Sequence, residues 1–236
     1  MTLPVVILAG GLATRLRPIT EKIPKSLIEV ASKPFICRQL EYLESQGIKR
    51  VTLCIGHLGE MIELVVGSGS QFGLEITYSP DGPNLLGTGG AIKKALPLLD
   101  ESFFVLYGDS FLPINYSPIE EDFRRSQKSA LMTILKNSDQ WDKSNVSYSE
   151  GVLVEYNKES PSSDMNYIDY GLGILSRNLF DCYEEGTNFD LSEIYRNLSN
   201  QSKLQGYPVN QRFYEIGSHK GLEETENFFK LKSKYL

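Results

Sequence analysis

The run Pro4-Val-Val-Ile-Leu-Ala, which stops at Gly10-Gly11, restricts the fold more than any other part of the chain. A strand with one wet face alternates apolar and polar residues. This one has no polar position, as expected of a parallel strand covered on both sides. Glycines directly after it predict a tight loop at the carboxyl end of the strand, where α/β sheets bind their ligands. Helical spacing of Phe35, Leu40 and Leu43 predicts a helix over 34–46, stopped by Gly47 and followed by a strand, Arg50-Val-Thr-Leu-Cys-Ile, which completes a βαβ unit. Helices over 58–66 and 89–98 and strands at Leu74-Glu-Ile-Thr-Tyr and Phe103-Phe-Val-Leu-Tyr continue the alternation. Strand-like segments at Leu131-Met-Thr-Ile-Leu, Asn145-Val-Ser-Tyr, Val152-Leu-Val-Glu-Tyr and Gly171-Leu-Gly-Ile-Leu extend the same sheet, and helices over 191–198 and 222–231 finish it. The expectation is one domain over 1–236, divisible into halves 1–115 and 116–236. Its fold would be a three-layer α/β/α sandwich on a mixed, mostly parallel sheet with right-handed crossovers.

A net charge of -6 and the lack of a Lys/Arg run argue against a nucleic-acid partner. The opening apolar run has no basic flank and is broken by glycine, so neither a signal peptide nor a membrane span is expected, and a cytoplasmic location is. Cys37, Cys54 and Cys182 form no CxxC pair and are expected to be buried apolar fillers. The two histidines, His57 and His219, sit in no Ser-His or Cys-His arrangement, so a nucleophilic triad is not expected.

The loop Leu8-Ala-Gly-Gly-Leu-Ala-Thr-Arg-Leu-Arg-Pro carries the chemistry. Gly10 and Gly11 let successive backbone N–H groups face phosphate oxygens, Thr14 adds a hydroxyl, and Arg15 adds a planar fork of donors. Lys25, in Ile23-Pro-Lys-Ser-Leu, supplies a second cation ten residues on. The loop fits neither GxxxxGK[ST] nor GxGxxG, which disfavours a P-loop kinase and a dinucleotide-binding dehydrogenase.

These two segments resemble the GGxGTRLxPLT and PKP signature of the sugar-phosphate nucleotidyltransferases, also called NDP-sugar pyrophosphorylases. The overall similarity is nearest to members that guanylylate mannose or heptose 1-phosphates. Ala13 stands where that family usually has glycine, and Ser26 where it commonly has proline. The resemblance implies a Rossmann-like nucleotidyltransferase core without a C-terminal β-helix, and Mg2+ as cofactor. The partners would be a nucleoside triphosphate and a sugar 1-phosphate, with a homo-oligomer left open. It assigns Leu8, Ala9, Gly10, Gly11, Thr14, Arg15 and Lys25 to the nucleotide. Gly87, Thr88 and Gly89 of Leu86-Gly-Thr-Gly-Gly-Ala would lie beside the base, and Asp109 of Tyr107-Gly-Asp would bind the metal. Phe213-Tyr-Glu-Ile-Gly-Ser resembles the W-x-D-x-G-T segment, which makes Glu215 the second metal ligand with a longer arm than the usual aspartate. Lys158, Asp169 and Gly171 fall on positions that contact the sugar phosphate, although Asn157 and Asp169 replace the family's glutamate and asparagine there.

The implied reaction is in-line attack of a sugar 1-phosphate oxygen on the α-phosphorus, with Arg15, Lys25 and Asp109 as catalytic residues. Such chemistry needs alignment and charge neutralisation more than a base, because the nucleophile is already an anion. Two other readings stay open: cytidylyl transfer to a non-sugar phosphate, and a catalytically silent NDP-sugar-binding homologue.

Overall fold

The computed structural model describes residues 2–137 and 140–232. Its elements run β1 (Val5–Leu8), β2 (Glu29–Val30), β3 (Lys33–Pro34), α1 (Phe35–Ser45), β4 (Arg50–Ile55), α2 (Gly59–Val66), β5 (Glu75–Pro80), α3 (Gly87–Ala95), β6 (Ser102–Tyr107) and β7 (Ser110–Phe111). They continue α4 (Ser117–Ser126), β8 (Ala130–Lys136), β9 (Val146–Ser149), β10 (Val152–Tyr156), β11 (Tyr167–Ser176), α5 (Ser192–Asn200), β12 (Leu204–Val209), β13 (Tyr214–Glu215) and α6 (His219–Lys232).

Strands β6, β1, β4 and β5 lie side by side and parallel, the product of consecutive βαβ crossovers. The long strand β11 then joins β6 antiparallel and carries β8 and β9 on its far side, with β12 parallel to β8. Alternation along each strand splits the apolar side chains between two helical layers. Val5 and Ile7 of β1, with Phe104 and Leu106 of β6, meet α1, α2 and α4 through Leu40, Ile62 and Phe123. Val6, Phe103 and Val105 face the other way, toward Ile92 of α3 and Ile194 and Leu198 of α5. This is the expected three-layer, Rossmann-like arrangement, and no helix among the described residues is long and apolar enough to cross a membrane.

A third, smaller cluster joins Leu16, Ile28, Val30, Phe35, Phe111, Ile216 and Phe229. It docks α6 against the phosphate loop and the short β7–β13 ribbon, an element too brief to leave a periodic signature in the sequence. Cys37 and Cys54 are buried as expected. Cys182 is exposed, a correction with a simple cause: it follows the short helical turn Arg177–Phe180 on the surface, where only Phe180 turns inward.

Candidate active site

The carboxyl ends of β1 and β6 meet at the phosphate loop. Gly108 closes this junction: a Cβ there would lie 2.9 Å from the Leu8 carbonyl oxygen and 3.1 Å from the Ala9 Cα, so only glycine lets the two strand ends pass this closely. The result is a cavity of about 250 Å3 lined by Leu8, Ala9, Gly10, Gly11, Lys25 and Asp109 on one part of its wall and by Asp81, Gly87 and Thr88 on another. A second cavity of about 550 Å3 takes in Arg15, Lys158, Asp169, Gly171 and Glu215. The two share Tyr107 and Asp109.

Asp109 sits at that junction on the turn between β6 and β7, where its Oδ2 accepts from Lys25 Nζ at 2.8 Å. The turn is held from below by Gln39, a residue of α1 that is 2% exposed. Its Nε2 donates to the Tyr107 and Ser110 carbonyl oxygens at 2.9 and 2.8 Å, one on each side of Asp109. The β7–β13 ribbon pairs Ser110 with Glu215 and thereby carries the second acid to the first. Glu215 folds its longer arm back over its own turn: the Gly217 and Ser218 amides donate to Oε2, and Ser218 Oγ donates to Oε1 at 2.6 Å. A Cβ on Gly217 would stand 2.9 Å from Glu215 Oε2, 3.4 Å from Asp109 Oδ2 and 3.7 Å from Lys25 Nζ. Two carboxylates and an ammonium therefore converge on one point that glycine leaves open.

No group of three or more His, Cys, Asp or Glu side chains among the described residues could hold a metal. Two hard carboxylates, Asp109 on both cavities and Glu215 on the second, nevertheless suit Mg2+, which takes one or two protein carboxylates and fills its octahedron with water and substrate phosphates.

At the far end of the second cavity a register shift in the β11–β8 pairing, between Asp169 and Gly173, bulges the strand. Gly171 adopts φ +95° there, and its N–H donates to Asp169 Oδ1 at 2.9 Å. Burial pushes the Asp169 carboxyl up to about 6, against the lowering effect of that N–H and of Lys158. Lys158 Nζ lies 3.5 Å from Asp190 Oδ2, so this end holds one lysine between two acids. Asn157 turns away, its Oδ1 accepting from the Ser160 N–H at 3.0 Å.

The remaining expected residues divide. Arg15 is exposed and lines the second cavity, not the first, and Thr14 lines neither. Ala13 occupies the left-handed region with φ 49°, which explains why glycine suits this position. Gly89 is corrected: its N–H donates to the Phe189 carbonyl at 2.9 Å, and a Cβ there would stand 2.2 Å from the Phe189 ring, so it serves helix packing and leaves the cavity wall to Gly87 and Thr88. Sequence reasoning missed Gln39 and Asp81. A polar side chain on the apolar stripe of α1, one turn from Phe35 and Leu43, is the signal for the first; an acid directly after β5 is the signal for the second.

The family profile described as Nucleotidyl transferase matches residues 4–231. A D-glycero-alpha-D-manno-heptose 1-phosphate guanylyltransferase of Campylobacter jejuni is 30% identical over 90% of this chain and 93% of its own length. An N-acetylmuramate alpha-1-phosphate uridylyltransferase of Neisseria meningitidis is 29% identical over 94% of this chain and 96% of its own. Among solved structures, HddC from Yersinia pseudotuberculosis, complexed with GMP-PN, superposes with a TM-score of 0.79 at 24% identity, covering 97% of this chain and 100% of that one. A putative glucose-1-phosphate thymidylyltransferase from Bacillus anthracis reaches 0.84 at 19% identity, covering 96% and 95%. These two likenesses speak to the fold. With the profile spanning nearly the whole sequence, the chain belongs to the nucleotidyl transferase family.

Proposed function

We propose that this protein transfers GMP from GTP to the phosphate of a heptose- or mannose-type sugar 1-phosphate, giving the NDP-sugar and pyrophosphate in the cytoplasm. The observation that carries the reading is the convergence of Lys25, Asp109 and Glu215 where the two cavities meet, which is where two anionic substrates would have to be brought together. In the step itself a sugar 1-phosphate oxygen forms a bond to the α-phosphorus while the bond to the β-phosphate oxygen breaks, and the electron pair leaves with pyrophosphate. No proton need move, so the site requires cations and alignment.

Lys25 neutralises charge at the α-phosphate, and its ion pair with Asp109 holds the ammonium in place beforehand. The Gly10 and Gly11 amides take the departing phosphates, and Lys158 holds the phosphate of the acceptor. Asp109 and Glu215 would hold Mg2+, which when bound supplies a Lewis acid for the phosphate oxygens. Agreement of the loop and of Lys25 with the family signature supports these roles, and the guanylyl relative from Campylobacter jejuni supports the base.

The test is pyrophosphate release across a grid of nucleoside triphosphates and phosphate acceptors, with Mg2+ and with chelator. GTP with a manno-configured sugar 1-phosphate is expected to turn over, and chelator to stop it. Lys25→Ala and Asp109→Ala should each lower the rate on the order of 100-fold or more. Unchanged turnover in either variant defeats the role assignment, and binding of nucleotide without turnover on any acceptor defeats the enzymatic reading.

A further inference from the structure

Asp169 is a charged acid that the proposed transfer leaves without a partner. It lines the second cavity on the bulge of β11, and its own N–H donates to Asn145 Oδ1 at 2.9 Å, which fixes its backbone. Among the described residues its carboxylate accepts one hydrogen bond, from the Gly171 N–H to Oδ1, and Oδ2 accepts none. Lys158 acts on it only from a distance, because that ammonium stands 3.5 Å from Asp190 Oδ2 and forms no ion pair with Asp169. Tyr156 is 2% exposed and lines the same cavity, and among the described residues its hydroxyl makes no hydrogen bond. Burial, and next the charge of Asp169, push the Tyr156 phenol up, which places the two groups near each other.

This end of the cavity therefore sets one cation against two anions before any substrate arrives. An acceptor whose only charge is its phosphate would bring a further anion to the same place. A neutral ring would also leave the charge of Asp169 unused, since an asparagine accepts a hydrogen bond from a sugar hydroxyl without the cost of burying charge. A buried carboxylate recovers that cost only from a cation or from strong, charge-assisted donors. An ammonium is both: it offsets the phosphate held on Lys158, and its N–H donors match the open Oδ2 of Asp169 and the Tyr156 hydroxyl oxygen. We propose that the acceptor is an amino-substituted sugar 1-phosphate whose ammonium is received by Asp169, with the Tyr156 hydroxyl as its second acceptor. This inference rests on reading the second cavity as the acceptor site, and it narrows the sugar proposed above to one that bears an amine.

The alternative is that Asp169 serves only the bulge, through the Gly171 N–H, while a neutral sugar meets the rest of the wall. Pyrophosphate release with Mg2+ and the nucleotide selected by the grid above separates the two, when mannose 1-phosphate is compared with its 2-, 4- and 6-amino derivatives. At least one amino derivative should exceed mannose 1-phosphate in kcat/KM by about 10- to 100-fold, the worth of a hydrogen bond to a charged group. Quenching of Trp141, the single tryptophan of the chain and part of the same cavity wall, should give the same order in binding. Asp169→Asn keeps an acceptor for the Gly171 N–H and removes the charge, so it should bring the ratio to near one, mostly through loss of the amino sugar. A purely structural Asp169 would lower both substrates alike and leave the ratio unchanged, which overturns the inference. So does a ratio of one or below for every amino derivative in the unaltered protein, a comparison that needs no variant. 2-Aminoethyl phosphate carries both charges without a ring; if it is the better substrate, the amino-sugar assignment fails. If nucleotide binds but no sugar 1-phosphate turns over or quenches Trp141, the acceptor reading itself fails, a result distinct from equal turnover of amino and hydroxyl sugars.

Discussion

Replacing Asp169 by asparagine, the residue its position resembles, tests whether the acceptor end of the site carries a cost in stability. The carboxyl titrates at about 6 where an ordinary aspartate titrates at 3.8, and the leading cause is burial. A carboxyl that titrates about two pH units high is less stable when charged by about 3 kcal/mol, and partial exposure reduces this to about 2 kcal/mol. Asparagine has the same shape, and its side-chain oxygen still accepts the Gly171 N–H. The folded pKa lies above the unfolded one, so the folded state binds more protons across about pH 4 to 6. Stability therefore falls as pH rises through that window, and the penalty is complete above about pH 6. Asp169→Asn should raise Tm at about pH 7.5 by about 4 to 8 °C, given about 2 to 4 °C per kcal/mol for a chain of this size, and leave Tm near pH 4 almost unchanged. Scanning calorimetry at the two pH values reads both. A shift of equal size at both, or none at either, would refute the burial argument. Turnover with the preferred acceptor should fall in the same variant, since its charge faces the second cavity.

Gln39→Leu removes the clamp beneath Asp109 and should lower kcat more than it changes KM, with about 1 to 3 kcal/mol lost in urea unfolding. Gly89→Ala forces a methyl into the Phe189 ring and should cost about 1 to 3 kcal/mol in the same assay, while nucleotide affinity changes little. Ala13→Gly relieves a left-handed alanine in the phosphate loop and should raise stability by up to about 1 kcal/mol without loss of turnover.

The parallel half of the sheet was legible because β1 and the interior of β6 are apolar, β5 alternates, and α1 repeats at helical spacing. The second half hid three elements. Helix α4 opens on Ser117-Pro and buries only Ile119, Glu120 and Phe123, too thin a stripe to read. Strand β12 contains Gly206 and Pro208, which argue against a strand, yet it pairs only with β8 and so tolerates a missing donor at its edge. The β7–β13 ribbon has two residues on each side. At the site, Lys25 and Asp109 were legible because short motifs carry them. Gln39 and Asp81 were not, because their partners lie on other elements and only the folded chain brings them together.

That ribbon has a kinetic side as well. Asp109 and Glu215 stand about a hundred residues apart, so their meeting closes a long loop and belongs to the contacts that form late. It is fastened by one two-residue pairing and the seating of α6 on the small third cluster. A sub-global opening that lifts α6 would part the two carboxylates while leaving the parallel strands intact. On heating, catalysis would then fade before the fold melts, and nucleotide binding would outlast turnover.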